Sequence, residues 1–176
     1  MADFAGENEM QSLGDLFERK LRQQYYAETR LVDELDQAAK NAKNDRLSEG
    51  LATHREETRQ HVSRLESVFD EIGATPAPVE DAVIDGIISE REQLEDEIDD
   101  PDMLDLGYVV GGMTAERVEM TGYEGLMMIA DQLGYDTAIT DRLEANYEDE
   151  EATYRELEAM STASEMESFW DRITPS

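Results

Sequence analysis

The chain has no cysteine. That excludes disulfides, thiolate zinc sites, iron–sulfur clusters and thiol catalysis. Lysine is nearly absent too, with only Lys20, Lys40 and Lys43. Against 44 acidic residues stand 15 basic ones, for a formal net charge of -29. A surface of that sign repels DNA, RNA and anionic membranes, so neither nucleic acid nor membrane is an expected partner. The acids are spread along the chain, not gathered in one tail. That pattern reads as adaptation of the whole surface to a salty cytoplasm, where screening removes the self-repulsion. It argues against an acidic adaptor with one patch for a basic partner. No apolar run approaches the ~20 residues needed to cross a bilayer. Residues Met1 to Met10 are acidic and lack a signal-peptide pattern, so the expected compartment is the cytoplasm. There is no strand pattern and no internal repeat. The 176 residues suit one domain with one sizeable core, here a single domain over 1–176.

What is present is helical periodicity. The spacing predicts long helices over about 12–43, 46–72, 102–133 and 137–160, with a shorter one over about 80–98. Ser12 is a good N-cap with Asp15 three residues on, and Gly73 and Gly134 stand where helices should end. Ala74-Thr75-Pro76-Ala77-Pro78 breaks the pattern, and Pro101 suits the first position of a helix capped by Asp100. Phe169 and Trp170 are expected on a short C-terminal helix. Short connections after the first and third long helices make two antiparallel hairpins. About thirty residues between them span the length of a bundle. Two hairpins with one long crossover form the ferritin-like four-helix arrangement, here with a helix inside the crossover.

The informative feature is what interrupts the apolar seams. Phe17, Leu21, Gln24, Glu28, Leu31 and Leu35 alternate in steps of four and three, and Glu28 stands where leucine is expected. Val109, Met113, Glu116, Met120, Tyr123, Met127 and Ala130 form the next such seam, with Glu119 on the same face as Glu116. In the last helix Glu150 sits within Ile139, Leu143, Tyr147, Tyr154 and Leu157. The second helix passes from Leu51 to Leu65 through His54, Thr58 and His61, and Glu57 shares the face of both histidines. Counting from the turns, Glu28 should meet Glu57 across one hairpin, and Glu116 should meet Glu150 across the other. Ionised carboxylates in a dry core need cations, and the nearby arginines fall off the seams. Two divalent metals would neutralise most of the charge. Carboxylate with imidazole suits iron or manganese, and zinc also fits. The candidate ligands are Glu28, His54, Glu57, His61, Glu116, Glu119 and Glu150, with His54 and His61 as open alternatives. Bridging falls to Glu57 and Glu116 or to their hairpin partners. The methionines read as core filling, and Tyr25, Tyr123, Tyr147 and Tyr154 as core residues of which one can hydrogen-bond a ligand.

Leu16-Phe17, Tyr25-Tyr26-Ala27-Glu28, His54-Arg55-Glu56-Glu57-Thr58, Arg64-Leu65-Glu66 and Asp131-Gln132-Leu133-Gly134-Tyr135 together resemble the ferritin-like YciE/YciF family of stress-associated proteins. The resemblance spans about residues 12–160. It implies a homodimer of helical bundles and a di-metal centre related to that of rubrerythrin. Glu28 and Glu116-Arg117-Val118-Glu119 match that pattern. The chain departs from it where Gln60 stands three residues after Glu57 and Thr153 three after Glu150, since histidine is the usual residue there. Without cysteines for a rubredoxin module, electrons would come from an external donor. Two functions follow as expectations. One is a dinuclear iron or manganese site that handles peroxide or oxygen, or sequesters metal. The other is a metal-free helical scaffold that keeps the fold only.

Overall fold

Ser12 Oγ accepts from the Asp15 amide at 3.1 Å, and the Asp15 carboxylate accepts from the Ser12 amide at 2.9 Å. That complete capping box starts α1 (Leu13–Asn41) in the computed structural model, which describes residues 10–162. Asn44 caps α2 (Asp45–Glu71), Asp81 caps α3 (Ala82–Glu97), and Asp100 with Pro101 at the first position opens α4 (Pro101–Leu133). α5 covers Thr137–Thr162. Each helix lies within one or two residues of the periodicity. Gly73 and Gly134 have φ of 70° and 67°, the left-handed conformation that ends α2 and α4 at little steric cost. Phe169 and Trp170 lie outside the described residues.

The four long helices form a square. α1 packs on α2 and α4, and α5 packs on α4 and α2. Lys43 pairs with Asp102 at one end of the α1–α4 contact, and the rings of Phe17 and Tyr135 meet edge-on at the other. α1 and α4 are therefore antiparallel, as are the partners in each hairpin. The crossover runs back along α1. Val79 N donates to Arg22 O, Tyr26 OH to Asp85, and Asn41 Nδ2 to Glu95. α3 so comes to lie over α4, with Ile84 and Ile88 buried against Ala27 and Leu31.

Buried apolar residues gather at both ends of the bundle. Phe17, Leu21, Leu65, Phe69, Leu126 and Leu143 belong to one cluster, and Ala38, Leu47, Leu51, Val109 and Leu157 to the other. Each large buried side chain contributes roughly 1.5–3 kcal/mol relative to exposure. Between the clusters lies a polar layer. A helix in that layer cannot slide without carrying buried polar groups into an apolar cluster, so the two ends fix its level.

The α1–α2 turn is tied to α4 by Asp105. This buried carboxylate accepts from the amides of Lys43 at 2.9 Å and Asn44 at 2.8 Å. Asp105→Ala would leave both donors short of a partner. It should lower the unfolding free energy by about 1–3 kcal/mol, read from chemical denaturation at constant salt. An unchanged midpoint would show that water replaces the carboxylate.

Candidate metal centre

The polar layer is built from every long helix. Glu28 from α1, His54 and His61 from α2, Glu116 and Glu119 from α4, and Glu150 from α5 are each at most 4% exposed. The α2 seam runs Leu47, Leu51, His54, Thr58, His61, Leu65, Val68 in strict steps of four and three, and all seven are buried. Both histidines therefore point inward from one helix, two turns apart.

Two groups of donors share one residue. Glu28, His61 and Glu150 bring one ligand atom each to within 4.8 Å of one another, and so do His54, Glu116 and Glu150. His61 Nδ1 lies 2.9 Å from Glu150 Oε1 and 3.3 Å from Glu28 Oε2. His54 Nε2 lies 3.1 Å from Glu116 Oε1 and 3.6 Å from Glu150 Oε2. Glu119 is close enough for its charge to act on the others, and Glu116 Oε2 and Glu119 Oε1 are buried without a hydrogen-bond partner. Neither oxygen of Glu150 is aligned for a hydrogen bond, despite the short contacts to imidazole.

The electrostatics are those of crowded like charges. Burial, reinforced by Glu150, Glu28 and Glu116, pushes the Glu119 carboxyl well above the usual carboxylate range. Burial and the charges of Glu116 and Glu28 raise Glu150 likewise, against the opposing effect of His61 and His54. Burial disfavours the His61 cation, but Glu28 and Glu150 outweigh it and raise the imidazole to about 10. His54 is also held well above its ordinary value, because Glu116 and its other acidic neighbours overcome the cost of burial.

A second ring of groups orients the first. Tyr123 OH donates to Glu28 Oε1, and Asn146 Nδ2 donates to Tyr123 OH at 2.8 Å and to His61 O at 3.3 Å. Arg64 Nη1 donates to Asn146 Oδ1 at 2.9 Å and to Asp149 Oδ2 at 2.7 Å. Asp149 Oδ2 in turn lies 3.3 Å from His61 Nε2. Thr153 Oγ1 lies 3.2 Å from His54 Nδ1.

Six of the seven residues expected at the site come together. Glu57 does not join them. Its side chain is 40% exposed, with its carboxylate 3.6 Å from His54 Nδ1 on the side away from Glu116. The cause is rotation. The seam lands on Thr58, and Glu57 stands about 100° around the helix from it. Glu28 accordingly meets His61 and not Glu57. The α5 seam is corrected in the same way. It turns inward through Leu143, Asn146 and Glu150, and leaves Tyr147 and Tyr154 half-buried. Asp149 carried no signal in a chain so rich in acids. Asn146 was legible only as the residue three after Leu143 and four before Glu150.

The donor set fits a pair of divalent cations. Glu28, Glu116, Glu119 and Glu150, if ionised, carry four negative charges that two such ions would cancel, and two neutral imidazoles complete the ligands. Unpartnered carboxylate oxygens in a buried layer are the other sign of fit, because such atoms otherwise carry their full desolvation cost.

The fold and this cluster define a four-helix bundle with a buried carboxylate–imidazole centre. The chain belongs to the family described as "Domain of unknown function (DUF892)", whose model matches residues 12–168. It is 27% identical over 145 residues to Protein YciF of Escherichia coli strain K12, covering 82% of this chain and 87% of that one. Among solved structures it superposes on YcfI from Rhodopseudomonas palustris with a TM-score of 0.84 at 33% identity, covering 87% of this chain and 97% of that one. The crystal structure of the Escherichia coli stress protein YciF gives a TM-score of 0.81 at 25% identity, with 86% and 96% covered. The family resemblance read from the motifs is therefore correct. Among the described residues, no helix is long and apolar enough to cross a membrane.

Proposed function

We propose that Glu28, His54, His61, Glu116, Glu119 and Glu150 hold two iron or manganese ions at which peroxide or oxygen is handled during stress. The observation that carries this reading is the sharing of Glu150 by two buried three-residue groups, so that Glu150 would serve both ions. A bound pair of such ions would supply Lewis acidity and redox equivalents for reducing an oxygen–oxygen bond. The chain's own groups do the rest. Tyr123 and Asn146 hold Glu28 in one rotamer, and Thr153 holds the His54 ring. Asp149, half-exposed and next to His61, connects the layer to solvent and offers a path for protons. The apolar clusters at either end exclude bulk water. Electrons come from an external donor, since no thiolate cluster exists in a chain without cysteine. Family likeness makes the expected assembly a homodimer.

Metal content per chain, measured by mass spectrometry on untagged protein purified in high salt without chelator, tests the reading. About two iron or manganese per chain is expected. A trace only, even after anaerobic incubation with ferrous or manganous ion, would overturn it. That outcome would favour the second reading, a bundle that neutralises its own carboxylates with imidazolium. The 2.9 Å contact of His61 with Glu150 is what supports that alternative. Under either reading the net charge of -29 predicts salt-dependent folding. Raising monovalent salt from about 0.1 M to 2 M should raise the melting temperature by about 10 °C or more as repulsion is screened. A flat response would show that the surface charge costs the fold nothing.

A further inference from the structure

A cavity of about 460 Å³ opens between α1, α3 and α4. Its size falls within the roughly 300–1,000 Å³ of small-molecule sites. Exposed Met103 and Val110 stand at its mouth, and the walls are aliphatic, Leu35, Ile88, Leu94 and Leu106 among them. The buried side chains of His54, Glu116 and Glu119 also line it, so it reaches the polar layer. Glu116 Oε2 and Glu119 Oε1, buried and unpartnered, belong to that wall. Three glycines of α4, Gly107, Gly111 and Gly112, face this space. A helix interior accepts each at a cost of about 0.5–1 kcal/mol. Gly112 makes room for Leu157, which a Cβ there would meet at 2.9 Å, but a Cβ on Gly111 would meet nothing within 4 Å.

The polar lining selects the charge of the occupant. Arg91 is the lining guanidinium, committed to Glu34 and Glu95, and His54 is engaged by Glu116 and Glu150. Glu34, Glu90, Glu116 and Glu119 line the same space. In the metal-free chain an anionic headgroup would meet a net negative wall and lose its hydration as well. A neutral hydroxyl or carbonyl would not, and the buried Nε–H of Arg91, which has no partner, is a donor for one. We infer that this cavity binds a neutral alkyl compound with one uncharged polar end and presents it to the Glu116–Glu119 wall. At about 30 Å³ per water-sized group, the volume holds a chain on the order of a dozen carbons. Binding rests on the cavity alone, and the further step of calling the occupant a substrate rests on the metal reading above.

The test is a fluorescence titration of the full chain in high salt with the neutral apolar probe N-phenyl-1-naphthylamine. One saturable site per chain is expected, with displacement by 1-dodecanol and about tenfold weaker displacement by ionised dodecanoate. Gly111→Leu should fill the space and weaken the probe by about tenfold or more, while Gly125→Leu, which does not line the cavity, should leave it unchanged. If Gly111→Leu does not fold by circular dichroism, Ile98→Trp fills the same cavity from the end of α3. Glu150→Ala, which does not line the cavity, separates the two proposals, because it should lose metal yet keep the probe. The inference is overturned by no saturable binding, by binding that survives the filling variants, or by binding that appears only when a dimer is diluted apart. The last result would make the cavity an interface between copies.

Discussion

Glu150→Ala should take bound metal from about two ions per chain to a trace, the largest single effect expected at the centre. Glu150 is fully buried and belongs to both donor groups, so its loss removes one ligand from each at once. Glu28→Ala and Glu116→Ala remove a donor from one group only. Each should retain about one ion, or two held about tenfold or more weakly. Glu57→Ala should leave the content unchanged, because its carboxylate stands outside both groups and is 40% exposed. The comparison reads out geometry and not only the presence of acid. Equal losses from Glu57→Ala and Glu150→Ala would show that metal sits on the anionic surface. Retention of two ions by Glu150→Ala would sink the shared-bridge arrangement.

The metal-free protein should lose stability as pH rises from 5 to 9, and the metal-loaded protein should gain it. Glu119 and Glu150 have folded-state pKa values well above the ordinary carboxylate value, chiefly through burial. A group raised in this way binds more protons folded than unfolded. Its contribution is complete below the unfolded pKa and is lost as pH climbs through the folded one. His61, raised from 6.5 to about 10 by Glu28 and Glu150 against burial, has the same sign over that window. At about 1.4 kcal/mol per pKa unit the His61 shift alone amounts to several kcal/mol, or a fall in melting temperature of about 10 °C. Metal binding reverses the slope because the ligands must shed their protons to bind. The check is a melting curve at fixed high salt, with chelator and with added manganous ion, across that pH range. Parallel slopes would refute the coupling of metal to this layer. Glu119→Leu isolates one term. It should stabilise the metal-free protein by about 1–3 kcal/mol, since a buried carboxyl with an unpartnered oxygen gives way to apolar packing, and should weaken metal retention.

The helices were legible because each carries its own start and stop. Ser12 and Asp100 cap, Gly73 and Gly134 end, and Pro76 and Pro78 separate the second helix from the third. The antiparallel hairpins followed from short connections, and the length-spanning crossover from the thirty residues between them. Carboxylates on four-three seams announced a polar layer, because apolar periodicity leaves a visible gap wherever a charge replaces leucine. The family followed from motifs of adjacent residues, which need no tertiary knowledge.

Which atoms meet was decided only in three dimensions. One residue of helical rotation separates Thr58 from Glu57, and one residue separates Asn146 from Tyr147. Periodicity alone does not resolve that difference when a seam is polar, because both neighbours look equally suited to it. Packing resolves it. Leu51 and Leu65 are held in the two apolar clusters at either end of the layer, and that fixes the rotation of α2 between them. His54 and His61 are thereby turned inward together, and Glu57 is left at the rim. The hydrogen bonds of Tyr123 and Asn146 join residues 23 positions apart on different helices. The cavity beneath α3 exists only because the crossover lies across α1 and α4 without filling the space that Gly107 and Gly111 leave. The sequence by itself determined the helices, their order and the presence of buried charge, since these depend on local spacing. The tertiary structure decided which buried donors meet, the membership of Glu150 in both groups and the cavity, since these depend on how four rotations and one crossover are locked against each other.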